Sequence, residues 1–422
     1  MNYSEFVASE ALNLNFAKVS ARIEAARGKK ALVFCHDDPD GITSGIIIKK
    51  LLESRDMDVT VKVPVTMELE ETRLRDAIAE TSPDIIFVAD KGTMGYYDAY
   101  ADIHDNIIIL DHHPLLGEEL KRVTVVNPVL DSYKRCSASF VAHMLSTFCG
   151  EVSPSDDIAS LIGLKGDWAI EPATDDISDY VKSFYDEMAD KYSWLLNKIE
   201  SRPTMFEVRQ REKTTLLNQA AEIIFALGGG GFQYFYNERD KDLADITSGD
   251  FALNVLEKWL KNCVPFTTEV EFISAFSDSG RAKKIFDYYL SDWKETAAGM
   301  LNADKIKTVN GTDIYLFKGE KVKLMPMVGS VILYEFASQN DDVLFIMFSD
   351  MGEKGVHFSF RSKNGKLHCG NFAHDLAVAL QEKFGKEHAS GGGHPFAAEC
   401  RTKKKFPVGE IMALFDEKLS AL

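Results

Sequence analysis

Short β-rich runs pace the first 110 residues: Ala31 to Cys35, Val59 to Val65, Ile85 to Ala89 and Ile107 to Leu110. A run such as Ile107-Ile108-Ile109-Leu110 has no polar face to offer water, so a strand built from it must be covered on both sides, as in a parallel sheet. Helical stretches such as Thr43 to Glu53 and Met67 to Glu80 lie between the runs. This βαβα alternation predicts an α/β fold with a doubly wound, mostly parallel sheet. Ligands of such sheets bind at the carboxyl ends of the strands. Four acidic and histidine clusters sit where buried strands should end: His36-Asp37-Asp38-Pro39-Asp40-Gly41, Asp90-Lys91-Gly92, Asp111-His112-His113 and Gly166-Asp167-Trp168. Hard carboxylates mixed with imidazoles at that address are what a two-metal phosphoryl-transfer site requires.

The chain of 422 residues is too long for one core. After about residue 178 the texture changes to long, mixed-charge helical patterns over 181–200, 204–227, 251–263 and 281–300. Gly228-Gly229-Gly230-Gly231 reads as a helix stop and tight connection, because no Lys-Ser/Thr follows to make it a phosphate loop. Strands return at Asp313 to Phe317, Val343 to Phe348 and Val356 to Phe360. A helix over 371–384, a Gly391-Gly392-Gly393-His394 turn and a last helix near Val408 to Leu419 follow. The expected division is therefore 1–178 as a catalytic domain, 179–311 as a helical insert and 312–422 as a smaller α/β domain.

Bulk properties exclude several classes. No run of about 18 apolar residues exists to span a membrane, and Met1-Asn2-Tyr3-Ser4-Glu5 lacks the basic-then-apolar layout of a secretory signal, so a cytoplasmic protein is expected. The 6 cysteines form no CxxC pair, which reads as reduced thiols rather than a zinc site. A net charge of −17 argues against a protein that coats long duplex DNA, and it favours short substrates that need few phosphate contacts.

In the first cluster His36, Asp38 and Asp40 alternate, and an extended or tightly looped segment would throw all three to one side. A calcium loop fails there, because its first position would be His36 and its twelfth, where a bidentate Glu belongs, is Ile47. In the third cluster, consecutive histidines do not easily face one metal, so one reads as ligand and the other as a substrate contact. Each cluster alone would pass for a solvated turn or a surface histidine pair. Together they do not.

The order H-x-D-x-D-G, D-x-G, DHH and GD resembles the DHH phosphoesterase superfamily. Gly391-Gly392-Gly393-His394-Pro395-Phe396-Ala397-Ala398 resembles the signature of its DHHA1 domain, and Phe358-Ser359-Phe360-Arg361-Ser362 resembles the accompanying strand. The likeness spans roughly 28–178 and 312–422. It implies two divalent ions, commonly manganese with magnesium as the alternative, in a cleft between the domains. His36 and Asp38 would hold one ion, Asp40, His112 and Asp167 the other, and Asp90 would bridge them. His113 would face the scissile phosphate, with Asp111 orienting the histidine pair from behind. Arg361, Ser362, Gly391, Gly392, Gly393 and His394 would bind substrate.

The function so implied is hydrolysis of phosphodiester bonds in single-stranded or short nucleic acid, of exonuclease or nanoRNase type, by a chain that could be a homodimer. The alternatives are a small-nucleotide phosphatase, a cyclic-dinucleotide phosphodiesterase, or a scaffold without catalysis. The sequence departs from the family pattern at Glu399, where glycine is usual, and a carboxylate there could repel phosphate or narrow substrate choice. Aromatic runs in the insert (Phe232, Tyr234, Phe235, Tyr236; Phe286, Tyr288, Tyr289) read as core rather than base-stacking platforms.

Overall fold

A computed structural model describes residues 1–64, 66, 68–201, 213–229, 239–320, 324–337, 340, 342–393 and 395–421. The chain forms two compact units, Met1–Phe286 and Asp287–Leu422.

The first unit opens with two helices, α1 (Tyr3–Glu10) and α2 (Phe16–Ala25), and is built on five strands: β1 (Lys30–Cys35), β2 (Asp58–Lys62), β3 (Ile85–Ala89), β4 (Ile107–Leu110) and β5 (Thr124–Val126). All five pair in parallel, in the order β2-β1-β3-β4-β5. β1, β3 and β4 are almost wholly buried because both faces are covered. On one face Leu32, Phe34, Ile86, Val88, Ile107 and Ile109 pack with Leu74 and Ala77 of α4 (Glu71–Thr81) and with Tyr97 and Tyr100. On the other lie α3 (Pro39–Glu53) and α5 (Ala138–Phe148), backed by α6 (Pro154–Gly166).

The helical middle has α7 (Lys182–Lys191), α8 (Leu216–Leu227), α9 (Ser248–Leu260) and α10 (Ser279–Leu301). α8 is buried almost throughout and packs on α6, so it belongs to the core behind the sheet. The stretch 204–212 and the aromatics Phe232 to Tyr236 lie outside the described residues, whereas Phe286 and Tyr289 are buried as expected. No helix among the described residues is long and apolar enough to cross a membrane. The six cysteines are all free.

The second unit carries a six-stranded mixed sheet: β6 (Asp304–Val309), β7 (Thr312–Lys318), β8 (Val343–Asp350), β9 (Val356–Ser362), β10 (Ala389–Gly393) and β11 (Ala397–Thr402), in the order β6-β7-β8-β9-β11-β10. Only β7 and β8 pair in parallel. Phe358 and Phe360 turn one face toward α12 (Cys369–Phe384) and α13 (Val408–Ser420) through Phe372, Leu376 and Phe415. α11 (Leu324–Ala337) packs on β8 and β9.

The Gly391–Gly393 run, expected as a turn, is instead the end of edge strand β10. The reason is close packing. A Cβ on Gly391 would lie 2.5 Å from the Ala373 carbonyl of α12, and one on Gly393 would lie 2.6 Å from the Ala397 carbonyl.

Candidate metal centre

Strand register creates the site. Cys35 pairs with Ala89 and Ala89 with Leu110, so three neighbouring strands stop at one level. The next residues are His36, Asp90 and Asp111, and they enter the site side by side. Asp90 adopts a left-handed backbone (φ 54°), with Gly92 likewise at 75°, which turns the chain away and leaves the carboxylate at the strand ends.

Three groups of potential ligand atoms result, each with its atoms within 4.8 Å of one another: His36, Asp38 and Asp90; Asp40, Asp90, His112 and Asp167; and Asp90, Asp111, His112 and His113. Asp90 belongs to all three. His36 Nδ1 lies 2.9 Å from Asp38 Oδ2 and 3.8 Å from Asp90 Oδ2. His112 Nε2 lies 2.6 Å from Asp167 Oδ2, 3.4 Å from Asp90 Oδ1 and 3.6 Å from Asp40 Oδ2. Yet His36 Nδ1, both Asp90 oxygens, His112 Nε2 and Asp167 Oδ2 are buried without a hydrogen-bond partner among the described residues. Leaving so many buried polar atoms unmatched in one place is costly unless a ligand completes them. A mixed carboxylate and imidazole set aimed inward fits divalent cations.

The first cluster is neither extended nor looped throughout, because it runs into a helix. α3 begins at Pro39, with Asp38 as its N-cap accepting from the Gly41 amide at 2.8 Å. Helical geometry swings Asp40 away from His36 and Asp38, toward His112 and Asp167. There its carboxylate accepts from the amides of Ala138 (2.6 Å) and Ser139 (2.8 Å), the N-terminus of α5. The fourth cluster also differs: Asp167 follows α6, not a strand, and Trp168 takes a left-handed conformation (φ 57°) to end that helix.

Asp111 is buried and holds His113 more than His112. Its Oδ1 lies 2.8 Å from His113 Nδ1 and accepts from the His112 amide at 2.8 Å, while Oδ2 accepts from the Thr93 hydroxyl at 2.8 Å. Asn127 then donates to Thr93 Oγ1 (2.9 Å) and to the His113 carbonyl (2.8 Å). This bracing leaves His113 35% exposed against 13% for His112, so the two histidines face different surroundings.

The nest strains against its own charge. Burial, and then Asp167 beside it, push Asp40 up to about 7. Burial and the Asp38 and Asp40 carboxylates raise Asp90 well above the usual carboxylate range. Burial opposes the charge of His112, but Asp167 overcomes it and raises its pKa.

Three supporting features carried no separate sequence signal. Asp37 is buried, with Oδ2 unpartnered among the described residues. Lys91 is fully buried and donates to the carbonyls of Pro64 and Thr66. Gly228 and Gly229, read as a helix stop, end α8 directly against the metal loop: the Gly229 amide donates to the Asp37 carbonyl at 2.7 Å, and a Cβ on Gly228 would lie 2.2 Å from that oxygen.

In the second unit Arg361 is half-buried on β9, and its guanidinium bonds only neutral groups among the described residues. Ser362 falls on the opposite face, where its hydroxyl accepts from the Gly365 amide, so the structure does not bring it together with Arg361. Gly391, Gly392 and Gly393 line the edge strand, and His394 lies outside the described residues.

The profile described as "DHH family, N-terminal domain" matches residues 30–164, and that of the DHHA1 domain matches residues 325–421. No curated protein matches the chain. Among solved structures, the chain is similar to a DHH-domain protein described as a member of a family of ribosomal proteins (TM-score 0.65, 16% identity, covering 97% of this chain and 91% of that one). It is similar also to exonuclease RecJ bound to manganese (TM-score 0.56, 16% identity, 96% and 93% covered) and to Cdc45 from Entamoeba histolytica (TM-score 0.50, 12% identity, 96% and 98% covered). At these identities the likeness is one of fold. With both domain profiles matched in order and an acidic, histidine-bearing cluster at the strand ends, the chain belongs to the DHH/DHHA1 phosphoesterase superfamily.

Proposed function

We propose that the chain is a metal-dependent phosphoesterase that hydrolyses phosphodiester bonds of single-stranded or short oligonucleotides. The observation that carries this reading is the convergence of six buried or half-buried His and Asp side chains, several of whose ligand atoms have hydrogen-bonding capacity unspent among the described residues. His36, Asp38 and Asp90 would hold one cation, and Asp40, Asp90, His112 and Asp167 a second, with manganese favoured by the imidazoles. Such a pair supplies Lewis acidity toward the phosphate in an in-line displacement.

The protein's own groups do the rest. Asp111 fixes the His113 ring through Nδ1 and so leaves Nε2 as the nitrogen able to face a phosphate oxygen. Burial opposes a charge on His113, but Asp111 raises its pKa, which suits a proton donor to the leaving oxygen. Substrate binding falls to the DHHA1 unit, where Arg361 offers a guanidinium bonded to no carboxylate among the described residues.

Turnover of end-labelled RNA and DNA from dinucleotides to long strands, a cyclic dinucleotide and 3′-phosphoadenosine-5′-phosphate tests this with manganese present. Asp90→Ala and His112→Ala should each cut hydrolysis by at least about a hundredfold while circular dichroism stays native. Undiminished turnover in both variants refutes the two-metal centre. A wild type that turns over none of the panel returns the chain to the scaffold reading.

A further inference from the structure

One face of β9 and β11 is sealed by the apolar core under α12 and α13; the other, partly covered by α11, carries charge. Strand alternation puts His357, Ser359 and Arg361 of β9 opposite the core residues Phe358 and Phe360. Register brings β11 along: Ser359 faces Glu399 and Arg361 faces Ala397, while Glu399 faces Gly392 on the edge strand β10.

Several features of this face are unmatched among the described residues. The Arg361 guanidinium donates from Nε to Ser330 Oγ (3.1 Å), and from Nη1 to Ser359 Oγ (3.0 Å) and the Phe360 carbonyl (2.9 Å), all neutral. A half-buried cation hydrogen-bonded only to neutral groups keeps donors for an anion, although the Glu399 carboxylate already steadies its charge from a distance. Glu399 acts on the arginine only at a distance, because its Oε2 sits 3.1 Å from His357 Nε2 and bonds the histidine instead. Its side chain remains 55% exposed, so one carboxylate edge stays open. Burial opposes the charge of Glu399, yet His357 pulls its pKa down to about 2, so the group is ionised. His357 is itself buried, with Nδ1 unpartnered. Beside Glu399 the edge strand is bare, since a Cβ on Gly392 would meet nothing within 4 Å.

The result is a ledge with an anion-seeking arginine at one end, an open carboxylate at the other and exposed glycine backbone alongside. Inorganic phosphate satisfies only the arginine and is repelled by Glu399. A ligand that satisfies both must carry anionic oxygens and, a few ångströms away, hydrogen-bond donors. A ribonucleotide does so, because its sugar hydroxyls can donate to a carboxylate, as they do to the acidic residue of dinucleotide folds. The 2′-hydroxyl is also the group by which a protein tells RNA from DNA.

We propose that Glu399 reads the ribose: its carboxylate accepts from the sugar hydroxyls of a nucleotide whose phosphate Arg361 holds, so the chain favours ribo- over deoxyribo-oligonucleotides. The choice of substrate rests on the phosphoesterase reading; the binding geometry does not.

The test pairs two measurements on the full-length protein. Calorimetry without added metal compares 5′-phosphorylated ribo- and deoxyribodinucleotides of the same bases, and their manganese-dependent turnover is followed separately. The ribo form should bind roughly tenfold tighter, and Glu399→Gln should bring the two within about twofold. Equal binding of both sugars by the wild type overturns the assignment. So does a ratio unchanged in Glu399→Gln, or no detectable binding of either. A preference that follows the base and persists in the deoxy series makes Glu399 a reader of exocyclic amines, and also overturns it. Sugar preference without turnover upholds the ribose subsite and removes the catalytic reading. Turnover without sugar preference does the reverse.

Discussion

Gly163 shows how tightly single residues are held around the metal nest. It lies in α6, where a Cβ would sit 2.0 Å from Ser139 Oγ and 2.6 Å from Asp40 Oδ1. Gly163→Ala must push Asp40 off the α5 N-terminus or bend α6, at a cost of about 1–3 kcal/mol. Calorimetric titration with manganese should show the site shared by Asp40, His112 and Asp167 weakened, while Gly280→Ala, where a Cβ meets nothing, titrates like wild type. Equal manganese binding by both variants would show that Asp40 needs no such seat. The residues that converge here were legible in the sequence as candidate ligands because His and Asp are scarce at the ends of apolar strands and recur there. Asp37, Lys91 and Gly228 were not legible as supports. Their roles depend on which element packs across them, and nothing local encodes that.

At the scale of elements, the four helices α1, α5, α6 and α7 are joined by one buried polar network. His143 of α5 bonds Tyr3 at 2.7 Å and Asp157 of α6 at 2.9 Å, and Asp157 also accepts from Tyr192 (2.7 Å) and Lys191 (2.5 Å) at the end of α7. Burial opposes the Asp157 charge, but His143, Lys191 and Tyr192 together lower its pKa to about 2. A folded pKa below the unfolded one gives stability that is present above about pH 4 and lost as pH falls toward 2. Asp157→Asn should therefore cost about 2 kcal/mol near neutral pH, and its denaturation midpoint should converge on the wild type's as the medium is acidified across that window. A gap that stays constant with pH would mean the carboxylate is not the source. The sequence reads as helical over Cys136 to Phe148, Asp156 to Leu164 and 181–200, which covers α5, α6 and α7 but not α1. The network escaped notice because Tyr3 and His143 are far apart in the chain and each reads as an ordinary amphipathic position.

For the whole molecule, the chain forms two units and the candidate metal ligands all lie in the unit Met1–Phe286. Cation binding to the native state should stabilise that unit by about 2.7 kcal/mol at a hundredfold excess over Kd. Hydrogen exchange checks this directly: manganese should slow exchange in β1, β3 and β4, chelation should reverse it, and β8 and β9 should be unaffected. Equal slowing in both sheets would place the ions elsewhere. The doubly wound sheet was readable from its apolar strands. The mixed second sheet was readable only in part, because β6, β10 and β11 are short, polar or glycine-rich and lack the pattern of a buried strand.

The level ending of β1, β3 and β4 has a consequence for the life of the chain. The candidate ligands stretch from His36 to Asp167, and no single cluster along the chain holds a whole set of them. During synthesis the group Asp40, Asp90, His112 and Asp167 cannot close until Asp167 has left the ribosome and three parallel strands have found one another across long loops, which is slow for a chain to complete. Of the two proposed cation sites, only the group His36, Asp38 and Asp90 could assemble before that. On the proposed two-cation reading, loading is therefore completed late, and a half-made chain, however much of its sheet has formed, lacks the second cation's full set of donors.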